Sequence, residues 1–217
     1  MFIIGLIGLR GSGKDTFAGY LQQYGWTRAA FADALYHEVA SAFGVSVDFL
    51  RDRTRKELPQ KELSLLNCGE EGFVKCLLKY GYTEHAEPLK APRSPREVLQ
   101  IWGTEFRRTP EFGGYDSYWL DQVKSLIESR PDAKWVLTDV RFYNEYCFVE
   151  KLGGTLIRIT RPSQAQSPQD PALLHASERE LLNAKAHLEV LNKEGQLEHL
   201  RRQAENIHMA LCEELIS

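Results

Sequence analysis

The chain opens with an unbroken apolar run, Phe2-Ile3-Ile4-Gly5-Leu6-Ile7, followed by Gly8. A run with no polar alternation suits a strand buried on both faces, as in the interior of a parallel sheet. From Lys14 to Tyr24 the pattern lengthens to a helical period, with Phe17, Ala18 and Leu21 on one face. Ala29-Ala30-Phe31-Ala32 is a second short apolar stretch. Asp33 is expected to cap a helix running through Ala42, with Leu35, Val39, Ala42 and Phe43 inward and Gly44 as its stop. Ser94-Pro95-Arg96-Glu97 opens another helix, with Ser as N-cap, Pro at the first helical position and Glu in the capping-box position. A helix over Ser117–Ser129 and a strand over Trp135–Thr138, ending in Asp139, come next. The pattern continues with a helix over Asn144–Leu152, stopped by Gly153-Gly154, and an alternating strand over Thr155–Thr160 closed by Arg161-Pro162. His187–Leu191 reads as a last short strand and Gln196–Leu215 as a closing helix. Two stretches lack a clear period. Residues 45–93, with the charged segment Arg51 to Glu57, read as an irregular insertion covering a substrate. Residues 163–174, rich in Ser, Gln and Pro, read as a mobile loop within a lid over 162–178.

Strands alternating with helices predict a single α/β domain over 1–217, a three-layer sandwich in which a parallel sheet is covered on both faces. Ligands of such sheets sit at the carboxyl ends of the strands. That rule singles out Arg10 to Asp15, Asp33, Asp139 to Arg141, and Arg161.

Composition narrows the function. Apolar residues make up 43% and charged residues 26%, which is ordinary for a globular chain. A formal charge of −3 argues against a protein whose main task is coating nucleic acid. The four cysteines, Cys68, Cys76, Cys147 and Cys212, show no metal-like spacing and read as reduced thiols. The first apolar run is too short for a bilayer and has no basic leader, so the sequence predicts a cytoplasmic protein with no membrane partner.

The chemistry concentrates in Gly8-Leu-Arg-Gly-Ser-Gly13-Lys14, which has Walker A spacing, with a strand before it and a helix after it. Glycines let successive backbone N–H groups curl around a phosphate, and the helix N-terminus adds partial positive charge. Gly8, Arg10, Gly11, Ser12, Gly13, Lys14, Asp15 and Thr16 are therefore candidates for binding ATP, with Lys14 reaching the outer phosphates. Asp15 stands where a Ser or Thr usually follows the lysine. Either Asp15 or Thr16 could serve Mg²⁺, or Asp15 could simply stabilise the helix start.

Further motifs resemble those of the bacteriophage deoxynucleoside monophosphate kinases, a branch of the P-loop nucleotide kinases. The likeness covers most of the chain. It rests on Gly11 to Thr16, Phe31-Ala-Asp33, Leu99-Gln-Ile-Trp-Gly-Thr-Glu105, Asp139-Val-Arg-Phe-Tyr-Asn-Glu145, Gly153 to Ile159 and His175-Ala-Ser-Glu178. The resemblance implies a nucleotide-kinase-like fold with an inserted helical substrate region. It implies transfer of the ATP γ-phosphate to a deoxynucleotide. It also implies an acceptor site lined by Asp33, Gln100, Gly103, Thr104, Arg108 and Trp119. For Trp102 and Trp119, core packing competes with base stacking. Of the adjacent pair, Arg108 rather than Arg107 is expected to face the acceptor. Asp139 and Arg141 would face the reacting phosphates, unless they form a structural ion pair. Arg161, beyond its strand, is the better of two candidates (with Arg158) for a charge-stabilising arginine. Tyr36 departs from the lysine often found in relatives.

Two other classes stay open at this point: a kinase of hydroxymethylated bases in phage DNA, of the 5-hydroxymethyluracil type, and a nucleotide-binding module without turnover. Another acceptor such as dephospho-coenzyme A suits the Leu99–Glu105 motif poorly. A homodimer is compatible with the sequence.

Overall fold

A computed structural model of the chain describes residues 2–81, 86–165, 180–181 and 183–213. The chain divides into two compact units, one made of 1–31 with 123–217 and the other of 32–122.

The first unit is built on five parallel strands: β1 (Phe2–Ile7), β2 (Trp26–Ala29), β3 (Lys134–Leu137), β4 (Thr155–Thr160) and β5 (Leu188–Leu191), in the order β2-β3-β1-β4-β5. The unbroken apolar run thus occupies the centre of the sheet, where both faces exclude water. On one face Ile4 and Leu6 join Val136, Ile157, Ile159 and Val190 under helix α1 (Lys14–Gln22). The closing helix, Leu197–Glu213, adds Leu200 and Ala204 to the same core. On the other face, a Cβ on Gly5 would meet Val149 and Leu156 at 3.0 Å, so the helix over Tyr143–Lys151 packs close against β1. Helices on both faces make the expected three-layer sandwich.

The second unit is helical. It contains most of α2 (Phe31–Phe43), then α3 (Val47–Arg51), α4 (Glu71–Tyr80) and α5 (Pro95–Ile101). A single π-helical turn over Trp102–Phe106 follows, and α6 (Tyr118–Glu128) begins in this unit. Its core is aromatic: the fully buried Phe73 meets Trp102 at 4.5 Å, Phe106 at 5.6 Å and Phe43 at 6.1 Å between ring centroids. Ser94 caps α5 as predicted, its hydroxyl accepting from Glu97 N at 3.2 Å.

Two expectations are corrected. Asp33 does not cap α2, because the helix already begins at Phe31 and Asp33 lies in its first turn. The amide of Phe31 is instead satisfied by Asp139, whose Oδ1 accepts it at 2.7 Å, so a residue remote in sequence does the capping. Residues 45–93 are also more regular than their composition suggests. Phe73, Cys76 and Leu77 form the buried stripe of α4, an i, i+3, i+4 pattern obscured by the glycines at 69, 72 and 81.

The remaining described α-helices, α7 (Tyr143–Lys151), α8 (Pro162–Ala165) and α9 (Leu197–Glu213), belong to the first unit. The expected mobile loop over 163–174 is corrected at its start, where residues 163–165 belong to α8; its remainder, and the motif His175 to Glu178, lie outside the described residues. None of the four cysteines forms a disulfide. No described helix is long and apolar enough to cross a membrane.

Candidate functional site

The loop between β1 and α1 leaves the carboxyl end of the central strand, the end at which parallel sheets of this kind hold ligands. Gly8 has φ 147°, and a Cβ there would lie 2.3 Å from the carbonyl oxygen of Ile159 on β4. Gly13 has φ 107°, and a Cβ there would lie 2.3 Å from Asn192 Nδ2. At both positions the backbone angle favours glycine, and at Gly8 the Ile159 backbone leaves no room for a side chain as well. Lys14 curls back over the loop, its ammonium donating to the carbonyls of Gly8 at 2.7 Å and Leu9 at 2.9 Å.

Among the described residues no side chain caps the N-terminus of α1, whose positive end faces the loop. Ser12 is fully buried, yet its hydroxyl has no partner among the described residues. A buried orphan hydroxyl beside an uncapped helix start fits an anionic ligand such as a phosphate chain. Asp15 and Thr16 are both exposed in the first turn, and Arg28 approaches Asp15 at 3.7 Å. Among the described residues no group of three His, Cys, Asp or Glu side chains could hold a metal by itself. The donors present suit Mg²⁺, which keeps much of its water shell and takes further oxygens from substrate phosphates.

Beyond β3, Asp139 is buried and holds the start of α2 through Phe31. The next turn is fixed from α7: the buried Glu145 carboxylate accepts from the amides of Arg141 at 2.8 Å and Phe142 at 3.1 Å. The Arg141 side chain is left exposed on this pinned backbone. Beyond β4 the two arginines separate. Arg158 is half-committed to Glu189 at 3.5 Å and donates to the carbonyls of Leu181 and Ala184, a structural assignment. The Arg161 Nε is buried without a partner among the described residues. Ser163, donating its hydroxyl to Glu194 at 2.5 Å, holds that carboxyl below its ordinary range, and the Arg161 charge adds to the effect.

In the helical unit, Thr104 donates to the carbonyl of Gln100 at 2.6 Å across the junction of α5 and the π-helical turn. Arg108 donates to the Asp116 carbonyl at 3.1 Å, with the Asp116 carboxylate 3.8 Å away. Arg107 is the structural member of the pair. Its Nε donates to Glu38 at 2.8 Å, and its guanidinium lies 4.4 Å from the Phe106 ring centroid and 5.2 Å from that of Tyr118. Glu38 also accepts from Trp102 Nε1 at 2.9 Å and from the Tyr118 hydroxyl at 2.5 Å. Burial and this contact push the Tyr118 phenol up to about 12. Asp33 pairs with Arg51 at 2.8 Å. For Trp119 the structure favours the packing alternative. Its ring is 3% exposed and its indole N–H donates to the Gly103 carbonyl at 2.8 Å, so it packs and offers no face for stacking a base. Trp102, 1% exposed, packs likewise.

Two residues that organise these regions escaped the sequence reading, Asn192 and Glu38. Asn192 stands just past β5, so the strand-end rule that picked out Asp139 and Arg161 would have found it had it been applied to the last strand. Glu38 gave no signal, since its three donors lie 64, 69 and 80 positions away in sequence.

A glycine-shaped loop of Walker A spacing leaving the central strand of a parallel sheet, with a lysine folded over it, is the P-loop arrangement. The chain is 30% identical over 200 residues to a putative deoxynucleotide monophosphate kinase of Acanthamoeba polyphaga mimivirus, covering 86% of each chain. It is 27% identical over 179 residues to the deoxynucleoside-5′-monophosphate kinase of Escherichia phage T5, covering 66% of this chain and 69% of that one. The chain belongs to the deoxynucleoside monophosphate kinase family. No family model matches it. Superpositions on solved structures are looser. TT1252 from Thermus thermophilus gives a TM-score of 0.48 at 20% identity over 97% of both chains. Dephospho-CoA kinase from Campylobacter jejuni gives 0.44 at 17% identity over 96% of both.

Proposed function

We propose that this protein transfers the γ-phosphoryl group of ATP to the 5′-phosphate of a deoxynucleoside monophosphate, giving ADP and the deoxynucleoside diphosphate. The observation that carries this reading is the glycine-rich loop of a family member: Lys14 folded over a loop whose buried Ser12 hydroxyl has no partner among the described residues, beside a helix start with no side-chain cap there. In the reaction the bond between the γ-phosphorus and its bridging oxygen breaks, and a bond forms to an oxygen of the acceptor phosphate. That oxygen is already ionised at neutral pH, so no strong general base is needed.

The loop amides and Ser12 cradle the phosphates, and Lys14 swings from the Gly8 and Leu9 carbonyls to neutralise charge on the β- and γ-oxygens. Mg²⁺, which Asp15 and Thr16 would hold through water or directly, supplies charge neutralisation across the phosphates. Asp139 keeps the start of α2 in place while Arg141, presented on backbone pinned by Glu145, offsets charge on the transferring group. Arg161 supplies a second guanidinium. For the acceptor, Gln100, Thr104, Arg108 and Asp33 are the candidates in the helical unit; Trp119 is left out because its ring is closed off. We place the protein with the free deoxynucleotide pool in a reducing cytoplasm, a reading supported by its four unbridged cysteines.

The test is to incubate the protein with ATP, Mg²⁺ and each deoxynucleoside monophosphate in turn, alongside duplex DNA with and without 5-hydroxymethyluracil. Diphosphate formation from free monophosphates, lost in Lys14→Ala, is the expected outcome. Label appearing only on modified DNA would overturn it in favour of a DNA-base kinase. ATP binding without transfer to any acceptor would leave a binding module.

A further inference from the structure

We propose that Asn192 is a positioning residue for the phosphate loop, setting the direction of its amides from the end of β5. The proposal rests on the reading of Gly8–Thr16 as an ATP site and adds a residue from the opposite end of the chain to it.

The geometry is specific. Asn192 is 2% exposed. Its own amide continues the β4–β5 ladder, donating to the Thr160 carbonyl at 2.8 Å, so its backbone is held by the sheet. Its side-chain amide donates to the Ser12 carbonyl at 2.8 Å, a contact spanning 180 positions and buried from water. The same Nδ2 fills the space beside Gly13 where a Cβ would stand.

Peptide planarity converts this single bond into a directional device. The C=O of Ser12 and the N–H of Gly13 belong to one trans peptide unit and point in opposite directions. Holding the Ser12 carbonyl toward β5 therefore turns the Gly13 N–H the other way. A loop rich in glycine has many backbone alternatives, and φ 107° at Gly13 is one that a peptide flip would readily exchange for another. Asn192 removes that freedom before the ligand arrives, so binding does not have to order the loop. At Gly13 the place of a Cβ is taken by the group that orients the peptide.

The role differs from that of a simple strand terminator. Asn192→Asp keeps shape and volume but sets a carboxylate oxygen against the Ser12 carbonyl in place of a donor. Asn192→Ala removes the contact altogether. Val190→Ala is the control: Val190 is 2% exposed in the same strand and belongs to the core, so its truncation loosens β5 without touching the loop.

Each variant is titrated with ATP and Mg²⁺ by calorimetry, its unfolding midpoint is followed with and without ATP, and KM is determined separately for ATP and the monophosphate. Asn192→Asp and Asn192→Ala are expected to weaken ATP binding about tenfold or more, the scale of a buried hydrogen bond to the loop. The ATP-induced rise in unfolding midpoint shrinks with it, while KM for the monophosphate stays within about twofold. Val190→Ala lowers the midpoint but keeps the ATP affinity. If both Asn192 variants behave like Val190→Ala, losing stability with ATP affinity unchanged, the residue is merely structural and the proposal fails. If the wild-type protein itself takes up no ATP, the reading of the loop fails first and takes this proposal with it.

Discussion

The two units solve the problem of holding a polar group in opposite ways. In the sheet unit, the loop from Gly8 to Lys14 presents backbone amides. Its shape is set by glycines whose backbone angles disfavour a side chain, packed against Ile159 at one end and Asn192 at the other. In the helical unit, the comparable task falls to side chains. Glu38 gathers Trp102, Arg107 and Tyr118, while aromatic rings fill the space around Arg107 and fix the π-helical turn that carries Thr104. A backbone site depends on local conformation and is written in consecutive residues. A side-chain site depends on which distant positions meet, so it can be rebuilt with a different set of residues. The first arrangement suits a ligand part common to all substrates, the phosphate chain. In the function proposed above, the second would take the part of the acceptor that varies.

The largest effect should come from the charged side chain of the backbone site. Lys14→Ala is expected to cut phosphoryl transfer by about 100- to 1,000-fold while barely moving the unfolding midpoint, as measured by initial rates and calorimetry. Gly8→Ala breaks the loop itself. With a Cβ 2.3 Å from the Ile159 carbonyl and φ at 147°, stability should fall by about 2–4 kcal/mol and ATP binding with it, measured by urea unfolding and titration. If this variant keeps normal affinity, the loop is less rigid than the contrast requires.

Glu38→Ala tests the other side. It strands three donors in a half-buried setting and should cost about 1–3 kcal/mol of stability. It should raise KM for the monophosphate and leave the ATP dissociation constant within about twofold. Equal damage to both substrates would erase the division of labour.

The smallest effect is alkaline. Burial pushes the Cys76 thiol from 9.0 up to about 12, and burial with the Glu38 contact pushes the Tyr118 phenol from 10.0 to about 12. At about pH 7, well below the ordinary thiol value, both groups are protonated whether the chain is folded or not, so their contribution is constant. Above it, the unfolded chain releases protons that the folded one keeps, and stability falls as pH rises toward about 12. Both groups lie in the helical unit. Urea midpoints followed upward from about pH 8 should therefore drop, and Cys76→Ala should flatten the first part of that drop.

How much of this was legible in advance follows from the same contrast. The sequence alone determined the central strand, the glycine-rich turn between it and α1, the cap at Ser94, the longer helices and the strands after residue 94, and the resemblance to the kinase family. Each of these rests on apolar periodicity or on neighbouring residues acting together. The stripe of α4 was also local, but glycines masked its period. Tertiary structure alone decided that Asp139 caps α2, that Glu145 fixes the backbone of Arg141, and that Trp119 is closed into the core. It also decided which of Arg107 and Arg108 pairs with Glu38, and that Asn192 reaches across the sheet to Ser12. The reason is physical. Hydrogen bonds and burial in these places are made between residues far apart in the chain, and only the packing of the finished fold selects which of many polar side chains find one another.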